Sequence, residues 1–90
     1  DIERIDEKVK KIRSKFLSEK EDLVVGENLK KLVEYWSMKE TAYKVDGTTI
    51  PLKNIEIREK IKNLYTCSIN GKTIEIKTEE IDGHLLSYTT

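Results

Sequence analysis

One phrase occurs three times in this chain: Val45-Asp46-Gly47-Thr48-Thr49-Ile50, Ile69-Asn70-Gly71-Lys72-Thr73-Ile74 and Ile81-Asp82-Gly83-His84-Leu85-Leu86. Each joins a β-branched residue, Asp or Asn, Gly and a strand-like run. Asn-Gly and Asp-Gly suit tight hairpins, because both central residues of a type I′ turn need positive φ. Gly reaches that region at no steric cost, and Asn and Asp reach it more readily than most residues. Three such turns in ninety residues predict an antiparallel sheet.

The first hairpin is expected over 42–52, turning at Asp46-Gly47, with Tyr43 opposite Ile50 and Pro51 marking an edge. The second turns at Asn70-Gly71 and pairs Cys67 with Ile74 and Tyr65 with Ile76 on one apolar face. At the third turn, a two-residue loop would leave Leu86 and Tyr88 facing outward. Burial therefore favours a three-residue loop with Gly83 left-handed, pairing Ile76 with Tyr88 and Thr78 with Leu86. Residues 41–52 and 65–76 align at an offset of 24. Convergence on one turn chemistry accounts for that more simply than an internal duplication.

The rest of the chain reads as helix. Ile2, Ile5, Val9, Ile12 and Phe16 recur at three and four residues and predict an amphipathic helix over 1–18. Ser18 and Glu21 offer a capping box that would start a helix near Ser18, and Gly26 and Asn28 offer a second start; a loop around 20–26 is the preferred reading. A second helix follows over about 27–40, with Leu29, Leu32, Val33 and Trp36 on its buried face. A third, short helix is expected over 54–64, capped by Asn54, with Ile57, Ile61 and Leu64 pointing one way. The order is α-α-β-β-α-β-β-β: a single small α+β domain spanning 1–90. The chain starts at Asp1 rather than Met, which suggests a segment of a larger protein.

Composition narrows the class. Lys plus Arg number 17 and Asp plus Glu number 17, so the net charge is zero. That argues against a strongly basic nucleic-acid binder. One cysteine cannot close an internal disulfide, and with no signal peptide this points to an intracellular, cytoplasmic setting. No apolar run approaches the roughly 20 residues of a membrane helix.

Catalytic equipment looks sparse. The single His, His84, sits at a turn, and the single Cys, Cys67, sits on an inward strand face, so a Cys–His pair is not expected. Glu79, Glu80, Asp82 and His84 cluster round one turn but match no zinc motif or calcium loop. No Gly-rich phosphate loop is present. Neither a cofactor nor a small-molecule substrate is inferred.

By elimination the sequence predicts a non-catalytic module that binds another protein or self-associates. Ile5, Val9, Ile12 and Phe16 are its candidate docking stripe. The alternative is a small nucleic-acid-binding domain using Arg4, Lys8, Lys11 and Lys15 along the first helix, or Arg58 and Lys62 on the third.

Overall fold

A computed structural model describes residues 1–47 and 50–90. Five antiparallel strands form its sheet: β1 (Ile2–Arg4), β2 (Glu56–Ile61), β3 (Leu64–Ile69), β4 (Lys72–Ile81) and β5 (His84–Thr89), in the order β1-β5-β4-β3-β2. A 3-10 turn (Glu7–Ile12) runs into the short α1 (Arg13–Phe16), then come α2 (Glu19–Val25) and the long α3 (Leu29–Asp46). Helices on one face of an antiparallel sheet make this an α+β fold, the class that the turn phrases predict.

The helix α3 is the axis of the molecule. It touches β1, β3, β4 and β5 on one side and the 3-10 turn and α1 on the other. Its buried residues, from Leu32 through Ala42, therefore run round most of its circumference. Phe16 meets Trp36 edge-on at 5.1 Å, and Tyr35 meets Tyr65 edge-on at 6.1 Å, both favourable aromatic geometries.

Four local expectations are corrected. The hairpin over 42–52 is not formed, because α3 continues to Asp46. Gly47, at φ 68°, caps it by donating its N–H to the Tyr43 carbonyl. Asp-Gly serves a helix stop as well as a hairpin turn, and burying Thr41 and Ala42 against the sheet favours the helix. Thr48 and Thr49 of that expected hairpin lie outside the described residues.

The helix over 54–64 is replaced by a 3-10 turn (Leu52–Asn54) and by β2, which pairs with β3. Ile55 and Ile57 are buried at alternate positions while Ile61 is 65% exposed, so the effective period is two rather than 3.6. The turn joining β2 to β3 uses Asn63 at φ 63° and contains no Gly.

The helix over 1–18 is divided among β1, the 3-10 turn and α1. β1 adds to the sheet edge, pairing Ile2 with Leu86. Finally, Asp82-Gly83 closes a two-residue loop, with Thr78 opposite Ser87 and Ile76 opposite Thr89. Leu86 and Tyr88 take the outer face because Leu85 and Ser87 are buried inward. Ser87 is tolerated there because α3 presents polar partners to it. The second hairpin has the expected register, with Cys67 opposite Ile74 and Tyr65 opposite Ile76. Among the described residues no helix is long and apolar enough to cross a membrane.

Candidate active site

Three polar constellations are built on α3. A buried polar group costs free energy unless it is hydrogen-bonded, so each one can be read by asking which groups are satisfied. The Glu34 carboxylate accepts from Tyr65 Oη at 2.7 Å and from Thr78 Oγ1 at 2.6 Å. Burial, with the hydrogen bond to Glu34, pushes the Tyr65 phenol well above its usual range. Both hydroxyls act as donors, and the set is closed.

The second constellation joins α3 to α2 and β2. Lys39 is fully buried and donates to Glu21 at 2.5 Å and to the Leu52 carbonyl at 3.1 Å. Glu21 also accepts from the N–H groups of Ser18 and Ile57, both at 3.0 Å. The Ser18–Glu21 capping box is formed and belongs to this network, so α2 (Glu19–Val25) replaces the loop expected around 20–26. Burial pulls the Lys39 ammonium below its usual range, and the hydrogen bond to Glu21 opposes that shift. This set is closed as well.

The third lies where α3 meets β1 and β5. Ser37 Oγ is 2.7 Å from Ser87 Oγ and donates to Asp1 Oδ2 at 3.1 Å. Thr41 Oγ1 is also 2.7 Å from Ser87 Oγ. Asp1 accepts from Lys44 Nζ at 3.2 Å. Asp1 and Ser87 also exchange two backbone hydrogen bonds of 2.7 Å, which extend the β1–β5 ladder. Two residues on, Glu3 accepts from Trp36 Nε1 at 3.1 Å. Asp1 and Glu3 thus turn the same face of β1 towards α3, as strand alternation requires.

Glu40 completes this face and breaks the pattern. Ser37, Glu40 and Lys44 are spaced three and four residues apart, so they share one side of the helix. Both Ser37 and Lys44 touch Asp1, and Glu40 lies between them along the helix. Glu40 is half-buried, and among the described residues its carboxylate makes no hydrogen bond or ion pair. The face therefore offers hard carboxylate oxygens and the ammonium of Lys44, whose side chain is 64% exposed. Such groups can accept a proton and bind a phosphate.

The residues singled out in the sequence lie elsewhere or have other duties. Val9 and Phe16 are in the core, and Ile5 and Ile12 pack against it. The apolar stripe is thus covered by the domain's own α3. Arg4, Lys8, Lys11 and Lys15 are exposed but spread over β1, the 3-10 turn and α1, so they do not form one helical stripe. Arg58 pairs with Glu56, and Lys62 lies in the β2–β3 turn. Cys67 is fully buried, and burial pushes its thiol up to about 12. It lies on β3, with β4 between it and His84 on β5, so no Cys–His dyad forms. Among the described residues no three His, Cys, Asp or Glu side chains converge as a metal cage.

Sequence reasoning missed Asp1, Glu3, Glu40 and Lys44. The available signal was the three-and-four spacing Ser37-Glu40-Lys44. It was hidden by ending the second helix at 40 and assigning Lys44 to a hairpin.

A family model for the 4'-phosphopantetheinyl transferase superfamily matches residues 1–89. No curated protein and no solved structure matches the chain significantly. The family match overturns the expectation of a non-catalytic interaction module, and with it the nucleic-acid alternative, because the family is one of group-transfer enzymes. The chain belongs to the 4'-phosphopantetheinyl transferase superfamily.

Proposed function

We propose that this chain takes part in moving a 4'-phosphopantetheinyl group from coenzyme A to a hydroxyl of a carrier protein, at the face formed by Asp1, Glu3, Glu40 and Lys44. The observation that carries this reading is Glu40: a half-buried carboxylate left uncommitted on a helix whose buried acidic and basic side chains are otherwise paired. The donor is a small molecule, contrary to the expectation of none, and the acceptor is a protein.

In the reaction the hydroxyl oxygen attacks the phosphorus that carries the pantetheine. A new P–O bond forms, and the diphosphate P–O bond breaks. Adenosine 3',5'-bisphosphate leaves with the electron pair, and the hydroxyl proton passes to the Glu40 carboxylate. A general base at this position contributes typically 10²–10⁴-fold. Lys44 supplies a point charge to the diphosphate. Its link to Asp1 at 3.2 Å holds the ammonium at the site before the donor arrives. Ser37, locked between Asp1 and Ser87, fixes the Asp1 rotamer.

Mg²⁺ in phosphate sites is commonly held by one or two carboxylates together with substrate phosphates. Asp1 and Glu3 fit that donor set: two hard carboxylates on one strand face, with no complete protein cage around them. Bound there, the ion would offset charge on the diphosphate.

The test is transfer itself. Incubated with coenzyme A and a carrier protein, the chain is expected to add one phosphopantetheinyl group to the carrier, read as a mass increase. Lys44→Ala should weaken coenzyme A binding by about tenfold or more, the loss of one charge-assisted contact. A chain that neither binds coenzyme A nor modifies the carrier overturns the reading.

A further inference from the structure

Against the proposed site, on the side of Glu3 and Trp36, lies a hollow of about 330 Å³. We infer that this hollow seats the pantetheine arm of the donor. The inference rests on the proposed function and specifies it, since it says which surface receives the non-phosphate part of the substrate.

Glu3 and Trp36 are shared: they line the hollow and also form the hydrogen bond beside the Asp1 carboxylate. The arm is bonded to the phosphorus under attack, so it must leave the site over an adjoining surface, and this hollow opens there.

The hollow is lined by Val9, Ile12, Val33 and Trp36, with Arg4 and Lys8 at its rim. The arm carries a geminal dimethyl group and methylenes, which suit that apolar lining. It also carries two amide carbonyls, which need donors. Neither acid at the hollow pairs with the rim cations: Glu3 accepts from Trp36, and Asp6 accepts from the Lys8 backbone N–H. Arg4 and Lys8 have exposed side chains that make no ion pair or hydrogen bond among the described residues. The rim therefore offers free donors to acceptors on the arm, as small-ligand sites do with a few polar groups around an apolar lining.

The experiment compares two ligands that differ only beyond the diphosphate cleavage point. Calorimetry would measure coenzyme A and adenosine 3',5'-bisphosphate on the parent chain, on Ile12→Trp, which fills the hollow, and on Arg4→Ala/Lys8→Ala, which strips its rim. Circular dichroism would check folding. Should Ile12→Trp not fold, the double surface variant carries the test alone. The expected result is a loss of tenfold or more in coenzyme A affinity, with adenosine 3',5'-bisphosphate affinity unchanged within twofold. Equal losses for both ligands, or no loss for either, overturn the inference and leave the proposed function standing. If the parent chain binds neither ligand, the proposed function fails and the inference falls with it.

Discussion

Lys39 and Glu40 are neighbours on α3, yet they serve opposite ends. Lys39 faces α2 and the turn at Leu52–Asn54, where it is fully buried and every polar atom around it has a partner. Glu40 shares a helix side with Ser37 and Lys44, which touch Asp1; there Asp1, Ser37 and Ser87 are tied together but Glu40 itself makes no hydrogen bond or ion pair among the described residues. A buried charge is retained only if it is paired, so the Lys39 side is closed and structural. A carboxylate left half-buried and unpaired can instead receive a proton or an incoming ligand. On the proposed reading, one helix separates what holds the fold from what carries the chemistry, about a quarter-turn apart.

The largest expected effects lie on the closed side. Lys39→Met leaves Glu21 without its cation and should cost about 3–5 kcal/mol, measured as a fall in the urea midpoint. A loss below about 1 kcal/mol would mean that the Glu21–Lys39 network is dispensable. Glu34→Leu strips the acceptor from Tyr65 and Thr78, at about 1–3 kcal/mol for each stranded hydroxyl. An unchanged midpoint would show that those hydroxyls find other partners.

A smaller effect sharpens the same point through pH. Burial raises the Cys67 thiol from 9.0 to about 12 and the Tyr35 phenol from 10.0 to about 12. Folding favours their neutral forms, so that stability is whole below about pH 9 and is lost as pH rises towards 12. Lys39 works the other way. Its folded value is depressed, so the unfolded chain binds more protons as pH approaches 10.5, and stability gains. Several raised acids outnumber one lysine, and the urea midpoint should fall between pH 8.5 and pH 11. A midpoint that climbs over that interval would mean that the desolvation of Lys39 outweighs them.

Much of this was legible where one local signal had one meaning. The Asn70-Gly71 hairpin and its Cys67–Ile74 register follow from turn chemistry and alternation. The Ser18–Glu21 box was visible by the capping rule, yet the competing start at Asn28 led to a loop being expected where α2 forms. Legibility failed where a signal had two meanings. Asp46-Gly47 reads equally as a hairpin turn and a helix stop, and only packing of Thr41 and Ala42 on the sheet decides between them. Ile57, Ile61 and Leu64 fit a helical period, while Ile55 and Ile57 fit a strand, and pairing with β3 decides. The site was lost to the same ambiguity, since Glu40 and Lys44 share a face only if the helix continues. Asp1 and Glu3 join them only through β1, a three-residue strand whose pairing with β5 is wholly non-local.

The most direct measurement is the rate of phosphopantetheinyl transfer by Glu40→Gln, made beside its unfolding midpoint. The isosteric amide keeps the shape and removes the base. The expected result is a midpoint within about 0.5 kcal/mol of the parent and a turnover lower by about 10²–10⁴-fold, with coenzyme A affinity little changed. Full transfer activity in Glu40→Gln, or a collapse of stability in its place, would contradict the assignment of Glu40 to chemistry rather than to the fold.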